Sequence, residues 1–172
     1  SAMAARARSS SVVASAGVLY LWEHGGWSVS PLSGETLGPV LTMSEHEDAA
    51  LWCLTSDALF LWEGPLHKLS LEDRDLLSSK LAPGTAASLW LTLGDEIISI
   101  RGQGAVWQTT YVGSVPDIIA LAENSLGELW ILAENDLWRF TEKQGLERYL
   151  SPEPIRSIAA RPSVHDTWLE TD

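Results

Sequence analysis

The chain has 172 residues, of which 45% are hydrophobic and nine are Trp, and its formal net charge at pH 7 is −12. That hydrophobic fraction excludes a disordered chain, and the length suits one domain. An excess of acidic groups repels phosphate backbones and anionic lipid surfaces, so neither nucleic-acid binding nor membrane insertion is expected.

The first ten residues are predicted to lie outside the folded domain. Ser1-Ala2-Met3 is typical of a cloning remnant, and residues 4–10 are expected to be a frayed, disordered terminus. A single repeat domain is predicted over residues 11–172. Because no apolar run reaches membrane-spanning length, we expect a soluble protein and favour the cytoplasm as its location.

The first half of this domain contains two strand-rich segments. Residues 12–30 supply three strands of a first unit, whose inner strand is missing, with His24-Gly25-Gly26 as a hairpin turn. Residues 40–71 form a second unit after a loop that contains Gly and Pro breakers. Leu71–Leu81 has helical character, and we interpret it as either one helical turn or a distorted inner strand.

The second half continues the same pattern. A third unit covers residues 87–112, and residues 116–150 form the fourth and most regular unit. Residues 152–172 open a fifth unit that contains two strands. The first unit lacks an inner strand and the fifth supplies one at residues 157–160. The two ends of the chain are therefore predicted to complete one blade together.

A Trp residue recurs at a nearly constant interval in the second strand of a unit. These anchor residues are Trp52, Trp90, Trp130 and Trp168, with spacings of 38, 40 and 38 residues. Strands two and three are apolar almost throughout, which is typical of strands buried on both faces. A period near 40 residues with four short strands per unit predicts an all-β fold, the β-propeller. The anchor Trp side chains are then expected to pack between blades.

The most regular unit resembles the two-component-regulator type of propeller repeat. The matching residues are Gly127, the pair Leu129-Trp130, Leu137 and Arg139. Tectonin-like lectin repeats are a similar alternative, and both resemblances imply a β-propeller. Three complete units and one shared blade would give a four-bladed propeller. A partial propeller from a larger ring and an assembly of two chains are the alternatives.

Residues that carry catalysis or bind metals form no recognisable constellation. The four His residues are dispersed, and His46-Glu47-Asp48 is interpreted as a solvated loop before a strand. Cys53 lies in a predicted buried strand, and we interpret it as a small core residue. Turn chemistry, in which polar side chains bond the nearby backbone, explains Asp57, Asp95 and Asn135. No catalytic residue, metal or cofactor is predicted.

Three Trp residues fall outside the repeating positions. Trp27 and Trp107 lie on predicted fourth strands, and Trp138 lies on a third strand. Packing in the core or between blades is the ordinary role of such side chains, and stacking on a partner is the alternative. Together with Arg139, these three Trp residues are the candidate partner-binding residues.

These patterns favour a non-catalytic protein-interaction or sensor module, which presents a rigid propeller face to a protein partner. A homodimer is a further expectation, because one predicted strand is left redundant. A carbohydrate-binding lectin is an alternative, but it requires similar pockets in every unit, whereas the outer turns differ. A fragment of a larger propeller protein or enzyme is another alternative, since a fold does not determine a function.

Overall fold

The computed structural model describes residues 2–6, 10–15, 18–23, 26–29, 40–45, 51–62, 66–71, 76–85, 88–103, 106–134, 136–151, 154–160 and 167–171. Every element in this part of the chain is a β-strand, which confirms the all-β prediction. The chain divides into two compact units. Unit 1 comprises Ser1–Leu77 with Gln103–Val106, and unit 2 comprises Ser78–Gly102 with Trp107–Asp172.

The first sheet of unit 1 has four antiparallel strands in chain order. They are β1 (Ala2–Arg6), β2 (Ser10–Ser15), β3 (Val18–Glu23) and β4 (Gly26–Val29). The sequence predicted disorder for residues 4–10, whereas residues 2–6 form β1 and supply the inner strand that was expected to be missing.

This sheet also differs from the predicted sharing of a blade between the two ends of the chain. β2 pairs with β1 on one edge and with β3 on the other. A strand has two hydrogen-bonding edges, so β2 offers no free edge to residues 157–160. The first sheet is complete without them.

The second sheet of unit 1 contains the most deeply buried strands. It is formed by β5 (Val40–Glu45), β6 (Leu51–Thr55), β7 (Ala58–Trp62) and β8 (Leu66–Ser70). Every residue of β6 is buried, as are the first four residues of β7. Uninterrupted burial requires cover on both faces of the strands, as the apolar pattern predicted.

The hairpin between β6 and β7 is closed by a Thr side chain. The backbone N–H of Ala58 donates to Thr55 Oγ1 at 3.1 Å, and Thr55 Oγ1 donates to Asp57 Oδ1 at 2.8 Å. Asp57 therefore acts through Thr55 in this turn, whereas the sequence predicted a direct bond from its side chain to the backbone. Asn135, predicted in the same role, lies outside the described residues.

The third sheet, in unit 2, begins with a very short inner strand. Its members are β9 (Leu81–Pro83), β10 (Ser88–Leu93), β11 (Glu96–Gln103) and β12 (Val106–Ser114). Lys80 N–H donates to Thr92 Oγ1 at 2.8 Å, and Thr92 N–H donates to the Lys80 carbonyl at 3.1 Å. These bonds extend the pairing before β9. Of the two interpretations of Leu71–Leu81, the distorted inner strand fits the described residues 76–81.

The fourth sheet follows the same order, and a two-stranded fifth sheet comes after it. The fourth contains β13 (Ile118–Glu123), β14 (Leu129–Ala133), β15 (Leu137–Thr141) and β16 (Gly145–Tyr149). The fifth contains β17 (Ile155–Ala160) and β18 (Thr167–Thr171). Inner strands lie side by side, β9 beside β13 and β13 beside β17.

The core of unit 2 forms where the third and fourth sheets pack against each other. Trp90 from β10 and Ile97 from β11 meet Leu129 and Ile131 from β14 in one buried cluster. Half-buried side chains close its margins, among them Trp138 and Phe140. Burial of apolar area between sheets stabilises the unit by roughly 25 cal/mol for each Å² removed from water.

Three of the four anchor Trp residues have the predicted environment. The exposed fraction is 1% for Trp52, 4% for Trp90 and 8% for Trp130. Trp168 differs, because 70% of its surface is exposed. It lies on β18, which pairs on one side with β17 and has no other strand beside it in the described part of the chain.

Candidate functional site

The structure places the predicted partner-binding residues in different settings. Trp27 lies on β4 in unit 1 and exposes 55% of its surface. Trp107 lies on β12, and its side chain is outside the described part of the structure. Trp138 and Arg139 are neighbours on β15 in unit 2. Successive strand residues point to opposite faces of a sheet, so the Trp138 and Arg139 side chains lie in different environments.

Arg139 is engaged by groups of its own sheet. Its Nε donates to Glu147 Oε1 at 3.1 Å, and its Nη1 lies 3.5 Å from Glu128 Oε1. Its guanidinium also lies 5.9 Å from the centre of the Trp130 ring. The hydrogen bond to Glu147 raises the pKa of Arg139 above its ordinary value. Arg139 thus ties β15 to β16 and to the residue before β14.

Trp138 packs inward. Its side chain is half-buried against the core of unit 2. Its indole Nε1 is buried and makes no hydrogen bond with the described part of the chain, and the same is true of Trp130. Most of the Trp138 side chain therefore contributes packing area, and little of it is available to a partner.

A cleft of about 540 Å³ opens in unit 2. We call it the Glu123 cleft. Its inner end is formed by Ser88, Trp90 and Glu123, and its remaining lining comes from two loops and the strand ends beside them: Thr85, Arg101, Ser125, Leu126, Gly127, Glu128, Phe140, Thr141, Glu142, Lys143 and Gln144.

Glu123 is the buried charge of this cleft. It is the last residue of β13 and exposes 2% of its surface. The backbone N–H of Thr85 donates to its Oε1 at 2.9 Å, and the indole N–H of Trp90 donates to its Oε2. Because both oxygens accept hydrogen bonds from N–H groups, the arrangement is that of an ionised carboxylate.

The turn between β9 and β10 is built closely around this carboxylate. Gly84 N–H donates to the Ser88 carbonyl at 2.9 Å, and Ser88 Oγ donates to the Thr85 carbonyl at 2.6 Å. A Cβ atom on Gly84 would overlap Ser88 Oγ and lie 2.9 Å from Glu123 Oε2. Only Gly permits so close an approach of backbone to carboxylate.

Asn124 holds the loop of residues 125–128, which lines the cleft. Its Oδ1 accepts hydrogen bonds from the backbone N–H of Leu126 at 3.0 Å and of Glu128 at 3.2 Å, and its Nδ2 donates to Glu128 Oε2 at 2.9 Å. Gly127 has a φ of 75°, which the turn requires and which Gly adopts without strain. The loop is therefore fixed, with Leu126 projecting into solvent.

The cleft has three carboxylates, and two of them are neutralised. Glu142 is paired with Arg101 at 2.8 Å, and Glu128 is paired with Arg139. Within the described residues Glu123 has only neutral donors as partners. Phe140 lines the same cleft and forms a T-shaped pair with Trp90, with ring centroids 5.7 Å apart. The cleft combines aromatic side chains with a carboxylate that forms no ion pair within the described residues.

Glu123 was not predicted from the sequence. Glu45 stands seven residues before Trp52, as Glu123 stands seven before Trp130, but Pro83 and Arg161 occupy that position in the other units. The partial recurrence was a usable signal. The environment of Glu123, however, is set by hydrogen bonds from Trp90 and Thr85, which lie 33 and 38 residues away in sequence.

A second cleft of about 430 Å³ lies elsewhere in unit 2, between the β14–β15 turn and the segment before β17. Arg148 and Asp136 form an ion pair within it, and Tyr149 and Leu150 supply apolar surface. Its basic group is thus already matched by an acidic one, and we assign it no ligand.

Two other features of the described residues bear on chemistry. They contain no group of three or more His, Cys, Asp or Glu side chains placed to hold a metal ion. Burial raises the pKa of the Cys53 thiol to about 12, so the nucleophilic thiolate is disfavoured. Separately, none of the described residues belongs to a helix that could cross a membrane.

The sequence matches no protein-family model and no curated protein. The fold, however, is that of solved β-propellers. Virginiamycin B lyase from Staphylococcus aureus aligns with a TM-score of 0.71 and 14% identity, over 98% of this chain and 61% of the lyase. The chain thus spans about three fifths of that protein's length. Identity this low shows the fold alone.

Two further structures have the same fold. The extracellular domain of a putative hybrid two-component system from B. thetaiotaomicron aligns with a TM-score of 0.65 and 16% identity, over 99% of this chain and 26% of that one. YCF48 bound to a D1 peptide aligns with a TM-score of 0.61 and 15% identity, over 91% of this chain and 56% of YCF48. These similarities confirm the predicted β-propeller and its likeness to two-component-regulator propellers. One of them being extracellular, they give no support to the cytoplasmic location we expected.

Proposed function

We propose that this protein is an interaction module that binds an extended segment of a protein partner in the Glu123 cleft. The observation that carries the proposal is the cleft itself, in which fixed loops, an aromatic ring and a buried carboxylate face one space of about 540 Å³. Rigid loops carried on a sheet scaffold bind with little loss of conformational freedom. A peptide also offers both the apolar and the polar groups that this lining complements.

The similar structures support this class of function without establishing it. One is a propeller with a bound peptide and another is the extracellular part of a sensor system. A third is a lyase. We do not extend the lyase activity to this chain, because an identity of 14% shows the fold alone. The non-catalytic role remains part of the proposal.

The test uses two exposed Leu residues that line different clefts. Leu126 exposes 64% of its surface in the Glu123 cleft, and Leu150 exposes 82% in the second cleft. Neither side chain is needed for the core, so both variants should fold. Fluorescence anisotropy would measure binding of labelled short peptides with randomised sequences.

We expect Leu126→Ser to weaken the binding of selected peptides by about tenfold and Leu150→Ser to leave it unchanged. Trp27→Ala is a further control, because Trp27 is one of the candidate partner-binding residues predicted from the sequence. A larger loss in Leu150→Ser or Trp27→Ala than in Leu126→Ser would move the site away from the Glu123 cleft. If the protein bound glycans on an array and bound none of the peptides, the lectin alternative would be favoured.

A further inference from the structure

We infer that the Glu123 cleft selects a cationic group, the guanidinium or ammonium of an Arg or Lys side chain, in the bound segment. This inference deepens the proposed peptide-binding function and rests on it. Its basis is the single unneutralised carboxylate of the cleft. The occupant follows from the charge, the hydrogen-bonding capacity and the aromatic surface that surround this group.

The charge of Glu123 is costly where it stands. An ionised carboxylate removed from water is destabilising unless opposite charge or several hydrogen bonds compensate it. Thr85 N–H and Trp90 N–H supply two hydrogen bonds, whereas a carboxylate has about four acceptor sites. Glu123 lines the cleft with the 2% of its surface that is exposed. A ligand with several N–H donors and a positive charge satisfies both needs.

The hydrogen-bond donors of Glu123 are fixed before any ligand arrives. Thr85 is held in the β9–β10 turn, and Trp90 is anchored in the core of unit 2 by its packing. The carboxylate therefore points in one direction and pays no ordering cost on binding. Phe140 supplies an aromatic surface in the same cleft, and guanidinium groups stack favourably on aromatic rings.

The neighbouring charges do not provide an internal counter-ion for Glu123. Arg101 is engaged by Glu142 at the outer part of the cleft, and Arg139, outside the lining, is engaged by Glu147 and Glu128. Lys143 is the other basic residue of the lining, and among the described residues it makes no ion pair with Glu123. The chain as a whole carries a net charge of −12. A net negative charge on the chain favours the approach of cationic peptides over acidic ones.

The experiment compares two pools of labelled short peptides. One pool has a central Arg between randomised residues, and the matched pool has citrulline, which has nearly the same shape as Arg and no charge. Glu123→Gln removes the cleft charge. Glu134→Gln is the control, because it changes the net charge equally at an exposed residue outside this cleft.

We expect the Arg pool to bind the wild-type protein about tenfold more tightly than the citrulline pool, a difference of about 1.4 kcal/mol. Glu123→Gln should abolish that preference, and Glu134→Gln should preserve it. Equal binding of both pools by the wild-type protein would overturn the inference while leaving the peptide-binding function intact. If neither pool binds at roughly 1 mM, the proposed function fails and the inference fails with it.

A second measurement avoids reliance on a variant that loses a structural hydrogen bond. The indole N–H of Trp90 donates directly to Glu123, so its NMR resonance reports on the carboxylate. Titration of the wild-type protein with acetyl-arginine amide should shift this resonance, and acetyl-citrulline amide should not. The resonance is assigned from its absence in Trp90→Phe. An unmoved resonance at saturating binding of the Arg pool would contradict the inference.

Discussion

Trp130 shows how one side chain can join several elements. Its ring forms a T-shaped pair with Tyr149 from β16, with centroids 5.1 Å apart and planes at 77°, and the guanidinium of Arg139 lies over the Trp130 ring. Edge-to-face aromatic pairs and cation–π contacts each contribute about 0.5–1.5 kcal/mol beyond the burial of area. The unpartnered buried Nε1 offsets part of this gain.

Trp130 and Trp168 occupy the same position of the repeat, but Trp130 is buried and Trp168 is exposed, which gives a direct prediction. Trp130→Ala should lower the free energy of unfolding by about 3–5 kcal/mol, because it leaves a cavity in the packed sheet. Trp168→Ala should lower it by less than about 0.5 kcal/mol, since an exposed side chain leaves none. Urea midpoints of both variants measure this. Equal midpoints would show that the repeat position, and not its burial, decides the energy.

Cys53 gives a second prediction, concerning pH. Burial raises the pKa of its thiol in the folded chain to about 12, from an ordinary value of 9.0. Both states are protonated below pH 9, so the stabilisation is complete there. Between pH 9 and pH 12 the unfolded thiol loses its proton and the folded thiol keeps it, so stability falls as pH rises.

The measurement compares the wild-type protein with Cys53→Ala in urea at pH 8 and at pH 10. The difference between their free energies of unfolding should shrink by roughly 1.4 kcal/mol per pH unit above pH 9, because one proton is involved. Other groups titrate in this range in both proteins and cancel in the difference. A difference that does not change with pH would mean that Cys53 is accessible to water.

At the scale of elements, the turn between β9 and β10 illustrates what holds the third and fourth sheets together. It contributes Gly84, Thr85 and Ser88, and the fourth sheet contributes Glu123 to it. Removing one partner of a buried polar group costs about 1–3 kcal/mol, because the other partner stays buried and unsatisfied. The turn and the end of β13 therefore depend on each other.

Gly84→Ala tests this dependence. The added methyl group overlaps Ser88 Oγ and crowds the Glu123 carboxylate, so we expect a loss of about 1–3 kcal/mol in the free energy of unfolding. Gly26→Ala is the matched control. A Cβ there meets nothing within 4 Å, so its effect should be neutral or slightly stabilising. Thermal unfolding of both variants by circular dichroism decides, and a harmless Gly84→Ala would contradict the close packing described.

The strands were largely predictable, because their apolar patterns are visible within a few consecutive residues. Apolar runs around Trp52, Trp90 and Trp130 fix the second and third strands of each complete unit, and Gly or polar residues mark the turns between them. Less was predictable at β1 and β9. The composition of residues 2–6 resembles a disordered terminus, and Leu81–Pro83 is too short to show a pattern.

The candidate site was less predictable than the fold for a physical reason. Arg139 matched a repeat motif, yet its role in holding β15 to β16 depends on cross-strand pairing with Glu147. The hydrogen-bond donors of Glu123, Thr85 and Trp90, belong to the third sheet and its β9–β10 turn. Burial and hydrogen-bond partners are properties of the folded arrangement, whereas periodicity in a sequence reports only which face of a strand is covered.

At the scale of the whole molecule, the apolar surface that remains uncovered is the feature of most consequence. On β18 Trp168 is exposed, and Leu169 is partly so. In the described part of the chain this strand is an edge of a two-stranded sheet. Edge strands with exposed apolar side chains are templates for pairing with a second chain, unless charge or Pro protects them.

We therefore expect the isolated chain to form a homodimer through β18, with the two edges related by a twofold axis. Sedimentation equilibrium at micromolar concentrations should give a mass that rises from 18.8 kDa toward twice that value as concentration increases. Trp168→Lys should restore the monomer, because a charge on the exposed face of an edge strand opposes pairing. Trp27→Lys is the control for loss of an exposed Trp on β4, and it should leave the dimer intact. A wild-type mass of one chain at every concentration would exclude the dimer, and loss of the dimer in Trp27→Lys alone would place its interface on the first sheet.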